Sequence, residues 1–346
     1  MQKIIIIEAV NNLRDLEDKI DEMIALCEAA GGKVVSAVSQ VIREITPATY
    51  IGLGKAKEIY HEAIDTDADL CVFDGELSPS QTLNLTDIIG IPVITRTNLI
   101  LDIFAKRARS AEGKILVELA QLKYIYPRLK GKGDSLSRLG AGIGTRGPGE
   151  TKLETDRRHI KERISALEND LKKIEKRRSL EYKRRNKVRA KTVVLVGYTN
   201  AGKSTLLNAL CKSNVLELDQ VFATLDTTSK RAYINDEYVV FTDTVGFIKN
   251  LPKDLLAAFK STLECVHEAS LILNVADATK DWKNQYETTE KLLQDLKVTA
   301  PIIKVLNKCD VEVREFVPED IIKISAIKKI GIDKLKSVVI EALKIN

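Results

Sequence analysis

The chain has 346 residues, 44% of them apolar, which is enough for the cores of two or three domains and argues against a disordered protein. No apolar run approaches the roughly 20 residues that span a bilayer, and the five cysteines and three histidines are scattered, which argues against a membrane span, a His/Cys metal site and an oxidising compartment. The net charge of +5 conceals 26 Lys and Arg against 11 Asp and Glu in residues 106–191, so a polyanionic partner is expected for this basic third.

The first hundred residues alternate short apolar runs with amphipathic helices. The first run, KIIIIEAV, is read as a strand and not as a signal peptide, because no small-residue cleavage site follows it. Further strands are expected in KVVSAVSQVI, ADLCVFD and IPVIT, and helices over residues 13–30, 54–64 and 78–89. This alternation predicts a parallel α/β domain over residues 1–98.

The pattern changes over residues 99–191, where two helix-like segments carry apolar residues at the spacing of a helical seam. The first seam contains Ile115, Leu119, Leu122, Tyr126 and Leu129, and the second contains Leu153, Ile160, Ile164, Leu167, Leu171 and Ile174. Together they predict an antiparallel helical hairpin, with residues 99–129 forming one helix.

Residues 131–149 hold seven glycines, too many for a helix, so they are predicted to form a loop at the tip of the hairpin. Few carboxylates lie near the cations of this loop. The excess charge could belong to a solvated helix face, but its coincidence with a glycine-rich loop favours nucleic acid. The candidate RNA-contacting residues are Lys130, Lys132, Arg138 and Arg146.

A third domain is predicted over residues 192–346, where a strand runs into GYTNAGKS, the GxxxxGK[ST] pattern in its strand–loop–helix context. The glycines let backbone N–H groups face phosphates, Lys203 can reach the β and γ oxygens, and the Ser204 hydroxyl can ligate Mg²⁺. The predicted phosphate-binding residues are Gly197, Tyr198, Thr199, Asn200, Ala201, Gly202, Lys203, Ser204 and Thr205.

The segment FTDTVGF adds Asp243 after a strand, where a carboxylate can hold Mg²⁺ through water, and Gly246, whose N–H can meet the γ-phosphate. Thr244 and Val245 lie between them. The segment VFATLDTTSK supplies candidate switch threonines, and any of Thr224, Thr227 and Thr228 could reach Mg²⁺ from a loop that orders around the γ-phosphate.

The segment PIIKVLNKCD places a carboxylate after another buried strand, where it can accept from both N1–H and the 2-amino group of guanine. Adenine cannot satisfy that carboxylate, so GTP is favoured over ATP. The following ISAI segment can back the base with main-chain amides. The predicted base-contacting residues are Asn307, Lys308, Cys309, Asp310, Ser325, Ala326 and Ile327.

With these elements in view, the chain resembles the HflX family within the Obg–HflX class of translational GTPases. The resemblance covers residues from about 50 to 326. It includes FATLDTT and DTVGF in the third domain, and YIGLGKAKEI, FDGELSPSQTLNL, RTNLILDIFAKRA and GIGTRGPGETKLETDRR before it.

The resemblance implies a nucleotide-binding domain of the Ras-like P-loop class and hydrolysis of GTP to GDP and phosphate. It selects Thr224 as the switch threonine that ligates Mg²⁺ with Ser204 and Asp243, and it adds Phe222, Ala223, Leu225 and Asp226 to the nucleotide contacts. It also implies association with the large ribosomal subunit and its rRNA, splitting or rescue of stalled ribosomes, a protein that is monomeric when free, and a fraction bound to ribosomes in the cytoplasm.

Three departures from the family pattern stand out. The chain ends about 20 residues after Ser325, so the additional C-terminal domain of longer relatives is expected to be missing. Thr95 stands where the family often has Asp, and Lys152 where it often has Gln. We expect both substitutions to be tolerated.

Lys203, Thr224 and Gly246 are the predicted catalytic residues, but Phe247 follows Gly246 where many signalling GTPases place a water-orienting Gln. Unassisted hydrolysis is therefore expected to be slow. Asn200 matches the position of an Asn in cation-stimulated relatives, so K⁺ is a candidate stimulating ion.

Two other functions remain open at this point. One is a nucleotide-gated switch whose partner is a protein, with the basic charge serving solubility. The other is an ATP-driven RNA-remodelling enzyme that uses GLGK, from Gly52 to Lys55, as a second nucleotide contact.

Overall fold

A computed structural model describes residues 1–12, 16–129, 148–186, 191–211, 228–234, 237–244, 246–247, 265–311 and 316–344. These residues belong to two compact units, one formed by residues 1–106 and 114–170 and the other by residues 107–113 and 171–346. The three domains with boundaries at residues 98 and 191 stay a prediction, because compactness alone does not show which segments fold independently.

The first unit is built around a parallel sheet, as the alternation of runs predicts. The strands are β1 (Lys3–Val10), β2 (Lys33–Val41), β3 (Leu70–Phe73) and β4 (Val93–Thr95), in the order β2-β1-β3-β4. Helices α1 (Leu16–Ala29), α2 (Leu53–Thr66) and α3 (Pro79–Ile89) connect them. The α/β prediction for this part of the chain is confirmed.

Charged side chains gather where β1, β3 and β4 end. Arg96 is buried and donates to Asp74 at 2.8 Å and to Glu22 at 2.7 Å. Burial, followed by the neighbouring charge of Asp74, raises the pKa of the Glu8 carboxyl to about 8, although Lys19 lies 3.2 Å away and opposes the shift. Because Arg96 directly follows β4 and Glu22 lies on α1, the ion pairs of Arg96 join these two elements.

The prediction of one helix over residues 99–129 is wrong, because the chain forms α4 (Arg96–Arg107) and α5 (Ala111–Arg128) with a break between them. The Ser110 hydroxyl accepts a hydrogen bond from the Gly113 N–H at 2.8 Å. This is the arrangement of an N-cap serine, which satisfies a backbone donor that would otherwise lack an intrahelical partner. The break therefore needs neither Gly nor Pro.

Helix α6 (Pro148–Asn186) carries the second predicted seam. Arg163 contacts Glu118 of α5 through two hydrogen bonds of 2.6 and 2.8 Å, and Lys123 lies 2.7 Å from Glu168. The two helices of the predicted hairpin are thus joined by side-chain contacts.

More residues of the second predicted seam than of the first are buried. On α6, Leu167 and Leu171 are buried, while Ile160, Ile164 and Ile174 are half-buried; the side chain of Leu153 lies outside the described residues. On α5, Leu119 is buried and Ile115, Leu122 and Tyr126 are half-buried, as is Leu129 just after the helix. The most buried residues of α5 lie on a neighbouring stripe that contains Leu116, Val117, Ala120 and Tyr124.

Thr95, one of the departures from the family pattern, has a defined role in holding α5. Its hydroxyl is 2.7 Å from the Tyr124 hydroxyl. The Arg128 guanidinium lies 3.4 Å from the centre of the Tyr124 ring and donates to Glu76 at 2.8 Å. Threonine therefore fits this position through an uncharged hydrogen bond.

The second unit contains a six-stranded sheet in the order β10-β9-β8-β5-β7-β6. Its strands are β5 (Lys191–Gly197), β6 (Thr228–Ile234), β7 (Glu237–Asp243), β8 (Leu271–Asp277), β9 (Ile302–Asn307) and β10 (Ile322–Lys323), parallel except for β6 against β7. Helices α7 (Lys203–Cys211), α8 (Trp282–Asp295) and α9 (Ile332–Leu343) accompany them.

The core of this unit places the ends of the central strands side by side. Leu195, Phe241 and Leu273 pack with Leu207 of α7 and Leu335 of α9, all at 0% exposure. Because parallel strands end at the same edge of a sheet, the segments after β5, β7, β8 and β9 meet there. Within the described part of the chain, no helix is long and apolar enough to cross a membrane.

Candidate nucleotide-binding site

The loop after β5 has a backbone that only glycine can adopt at two positions. Gly197 has φ +147°, and a Cβ there would overlap the Val275 carbonyl oxygen of β8. Gly202 has φ +84°, and a Cβ there would overlap the side-chain amide of Asn307. Asn200 also lies in the left-handed region, at φ 62°, which Asn tolerates better than most residues. The GxxxxG spacing thus reflects close contact with two neighbouring strands.

Lys203 begins α7 with its side chain folded against this loop. Its ammonium donates to the carbonyl oxygens of Gly197 at 3.1 Å and Tyr198 at 2.9 Å. Burial lowers the pKa of Lys203 to about 8, and the negative charge of Asp243 acts in the opposite direction. A cation held by two carbonyl groups can transfer its hydrogen bonds to phosphate oxygens when these enter the loop.

Ser204 and Asp243 form a pair of hard oxygen ligands. The Ser204 hydroxyl donates to Asp243 Oδ2 at 2.6 Å, and Asp243 is fully buried at the end of β7. The adjacent Thr244 hydroxyl donates to the Leu195 carbonyl at 2.8 Å, which fixes the backbone beside the carboxylate. Mg²⁺ binds through one or two such oxygens together with phosphate and water, so this donor set fits the ion.

Backbone hydrogen bonds tie the DTVGF segment to the phosphate loop. Thr199 N–H donates to the Phe247 carbonyl at 2.7 Å, and Phe247 N–H donates to the Gly197 carbonyl at 3.0 Å. A Cβ on Gly246 would lie 2.6 Å from Thr199 Cα and 3.1 Å from Lys203 Nζ. Glycine is therefore required at Gly246 for the two segments to approach one another.

The Phe247 side chain is 3% exposed and packs with Val194, Val196 and Val266. A phenyl ring has no hydrogen-bonding group, and this one is part of the core. Phe247 therefore packs in the core and, at the same time, offers no side-chain group that could orient a water molecule.

Asn307 connects the phosphate loop to the ISAI segment. Its amide donates to the Ala201 carbonyl at 2.9 Å and accepts from the Ala326 N–H at 2.9 Å. It is 3% exposed, so the loss of either hydrogen bond would leave a buried polar group without its partner. One side chain thus aligns the phosphate-binding and base-binding segments.

Asp310 is the residue predicted to recognise guanine. Its pKa lies below the ordinary value, first because of a hydrogen bond with Ser325 and also because Lys328 lies 3.5 Å away. The carboxylate is therefore ionised at neutral pH and able to accept two hydrogen bonds. Ile327 is 75% exposed beside it and offers an apolar surface that a base could cover.

Sequence reasoning missed Asp277, which ends β8. Its Oδ2 lies 2.7 Å from Lys308 Nζ, and its Oδ1 accepts from the backbone and hydroxyl of Thr279 at 2.9 and 2.7 Å. The ion pair orients Lys308, whose φ of 64° is left-handed. The sequence did contain a signal for this residue: the apolar run LILNVAD, one strand before NKCD, ends in an Asp.

The structure brings together most of the predicted nucleotide-binding residues. Cys309 also belongs to this region, since its N–H donates to the Ile324 carbonyl at 3.0 Å. Thr228 begins β6 directly opposite Asp243. The predicted residues that lie outside the described parts of the chain are Phe222, Ala223, Thr224, Leu225, Asp226, Thr227 and Val245, together with Lys130, Lys132, Arg138 and Arg146.

The GLGK segment begins helix α2. Gly52 is its N-cap, and Lys55 forms an ion pair with Glu58 one turn later at 2.8 Å. This arrangement is that of an ordinary helix start.

Three family models match consecutive parts of the chain. They are described as GTP-binding GTPase N-terminal, matching residues 17–105, GTP-binding GTPase Middle Region, matching residues 107–185, and 50S ribosome-binding GTPase, matching residues 192–308. The last match contains the phosphate loop, Asp243 and Asn307.

Curated relatives are similar over most of their length. The GTPase HflX of Caldanaerobacter subterraneus subsp. tengcongensis is 48% identical over 96% of this chain and 79% of the relative. The GTPase HflX of Escherichia coli is 43% identical over 86% of this chain and 70% of the relative.

Two solved structures share the fold. A GTP-binding protein from Sulfolobus solfataricus in complex with GDP has a TM-score of 0.53 and 23% identity, over 99% of both chains. A structure described as the SsGBP and GDP complex has a TM-score of 0.56 and 24% identity, also over 99% of both chains.

Proposed function

Since this chain belongs to the HflX family of GTPases, we propose that it couples GTP hydrolysis to an action on the large ribosomal subunit, splitting or rescuing stalled ribosomes in the cytoplasm. The chain is a GTPase with a P-loop nucleotide-binding domain, and the resemblance noted in its motifs is confirmed. The observation that supports ribosome action most directly is the match of the same domain to a 50S ribosome-binding GTPase.

The site geometry supports specific roles for residues at the phosphates. Lys203 and the backbone amides of residues 197–205 hold the phosphate groups, and Gly246 N–H faces the γ-phosphate. Ser204 and Asp243, whose side chains are in contact, would hold Mg²⁺ together with Thr224, which lies outside the described residues and is assigned from the motif resemblance. When bound, the ion neutralises charge on the β- and γ-phosphate oxygens.

At the base, Asp310 accepts from guanine, with Ser325 and Ala326 behind it. Asn307 holds the base-binding segment against the phosphate loop, and Asp277 holds Lys308 in place through their ion pair. The two halves of the pocket are therefore positioned relative to one another by polar contacts within the protein.

We propose that K⁺ takes over part of the role that the water-orienting Gln has in other GTPases. Asn200, an exposed residue of the phosphate loop with a left-handed backbone, is the proposed ligand. Hydrolysis in the absence of ribosomes is expected to be at least several-fold faster in KCl than in NaCl at equal ionic strength, and Asn200→Ser should abolish the difference. Equal rates of phosphate release in the two salts would show that Asn200 serves only the turn.

The basic middle region is proposed to bind rRNA through Lys130, Lys132, Arg138 and Arg146. Twenty-six cations against 11 acids in residues 106–191 give a net charge of +15, which favours contact with many phosphates. If the protein is instead a protein-binding switch, its association with ribosomes should not depend on the salt concentration. The alternative of an ATP-driven enzyme with GLGK as a second nucleotide contact predicts RNA-stimulated ATP hydrolysis that depends on Lys55.

The test replaces Arg138 and Arg146 together with Ala. We expect GTP affinity and ribosome-free hydrolysis to stay within about twofold, because neither residue belongs to a segment of the nucleotide pocket. Ribosome dissociation, followed by light scattering, should slow at least tenfold. The slope of log affinity against log salt in co-sedimentation with large subunits should fall by about two, one for each lost phosphate contact.

The matched control replaces Lys33 and Lys57, two exposed lysines of the first unit, with Ala. It removes the same charge, so it should dissociate ribosomes at the parent rate. A parent protein that sediments with large subunits in neither GDP nor a non-hydrolysable GTP analogue would refute the proposed function. A variant with unchanged dissociation would refute only the role of the tip.

A further inference from the structure

The edge of the six-stranded sheet displays a pair of tyrosines. Tyr233 on β6 and Tyr238 on β7 stand directly opposite one another in the antiparallel register. Their ring centres are 4.9 Å apart, and the two residues are 61% and 64% exposed. The two rings contact one another across the strands, as cross-strand aromatic pairs do, and they also leave apolar ring surface exposed to solvent.

The opposite face of the two strands is the one that builds the core. Ala232, Val239 and Phe241 point into the cluster beneath α7 and α9. Because strand side chains alternate, the tyrosines lie on the other face. They are therefore not needed to cover that core.

The face that carries the tyrosines also contains an exposed cation and an exposed serine, and it continues along β7 through the half-buried Val240 to the buried Thr242. Arg231 is exposed on it, two residues before Tyr233, and the Ser229 and Thr242 hydroxyls hydrogen-bond across the strands at 2.9 Å. Among the described residues of β6 and β7, the two acidic side chains, Glu237 and Asp243, belong to the other face, where Glu237 pairs with Lys191 at 3.7 Å.

We propose that Tyr233, Tyr238 and Arg231 form a docking surface for unpaired bases of ribosomal RNA, an inference that rests on the proposed action at the large subunit. Loops of RNA are recognised by stacking their bases on aromatic side chains displayed on a sheet, with Arg or Lys neutralising the backbone. Among the described residues of β6 and β7 this face has an exposed cation, Arg231, and no acidic side chain, which favours a polyanionic partner over a protein.

The same two strands lead directly to the nucleotide pocket. Asp243, which hydrogen-bonds to Ser204, is five residues after Tyr238 on β7, or about 17 Å along the strand. Thr228 at the start of β6 pairs with Asp243. β7 is also hydrogen-bonded to β5, which continues into the phosphate loop. RNA bound at the tyrosines is thus connected to the pocket by continuous strand pairing and can stimulate hydrolysis through it.

The experiment compares Tyr233→Thr/Tyr238→Thr with Tyr233→Phe/Tyr238→Phe. Threonine keeps the preference for a strand but removes the rings, and phenylalanine keeps them. The threonine variant should bind large subunits at least tenfold more weakly and lose most ribosome-stimulated hydrolysis, with ribosome-free hydrolysis and thermal stability unchanged. The phenylalanine variant should remain within about threefold of the parent. Tyr60→Thr, at a 40% exposed tyrosine of the first unit, is the matched control.

Binding to deproteinised large-subunit RNA distinguishes the two classes of partner. The threonine variant should also bind this RNA more weakly than the parent. If it loses affinity for subunits but not for the free RNA, the partner is a ribosomal protein and the RNA assignment is wrong. If it matches the parent in both assays, the surface does not dock on the ribosome. A parent that binds no subunits would instead refute the proposed function.

Discussion

Asp310→Asn is expected to reduce affinity for GTP by about 100-fold or more and to create affinity for xanthosine triphosphate. The carboxylate accepts from two guanine donors, and an amide in its place leaves one of them facing an N–H group. Xanthine carries a carbonyl where guanine has its 2-amino group, so the amide can donate to it. Competition of each nucleotide against a fluorescent GDP analogue measures both changes in one protein.

The contacts of Asp310 indicate that a loss of GTP affinity in Asp310→Asn would report on base recognition and not on unfolding. Ser325 and Lys328, which hold the carboxylate ionised, are also within reach of an amide at this position, so the segment should stay folded. Asp295→Asn, at an exposed carboxylate at the end of α8, removes the same charge from the same unit and should leave GTP affinity unchanged. Unaltered GTP affinity in Asp310→Asn would disprove the assignment of this residue to the base.

Lys203→Ala is expected to reduce both GTP affinity and hydrolysis by about 100-fold or more. Hydrogen bonds from a charged donor contribute about 1.5–3 kcal/mol each, and the ammonium is positioned to make two with phosphate oxygens. The loss should be equally large with other triphosphates, because the contact does not involve the base. Titration calorimetry with GTP and single-turnover phosphate release measure the two effects.

A pH dependence follows from the same side chain. Because burial lowers the pKa of Lys203 to about 8, the amine is charged below this pH and increasingly neutral above it. Bound phosphates favour the charged form, so binding takes up protons above pH 8, and GTP affinity should fall as the pH rises from 7 to 9. Calorimetry in two buffers of different ionisation enthalpy should detect proton uptake at pH 8.5 in the parent but not in Lys203→Ala. The same uptake in both proteins would place the proton elsewhere.

The sequence alone determined the local structure and the chemistry of the pocket. Strands β1 to β4 follow apolar runs bounded by turn residues, and the phosphate loop follows from glycines whose positions tolerate no Cβ. The spacing of apolar and glycine residues was enough to find these elements, although the contacts that exclude a Cβ at Gly197 and Gly202 come from Val275 and Asn307, on other strands. The break at Ser110 is also local, but it was missed because the helix prediction relied on Gly and Pro as stop signals and overlooked a capping serine.

The tertiary structure decided which distant residues meet. The Asp277–Lys308 ion pair, the two hydrogen bonds of Asn307 and the Thr95–Tyr124 contact each join residues at least 19 positions apart. The facing tyrosines of β6 and β7 likewise depend on an antiparallel register at the edge of the sheet. Hydrophobic periodicity reports which face of an element is buried, but it does not encode the order or register of strands. Those are set by packing of the whole core, so these contacts became visible only in the folded chain.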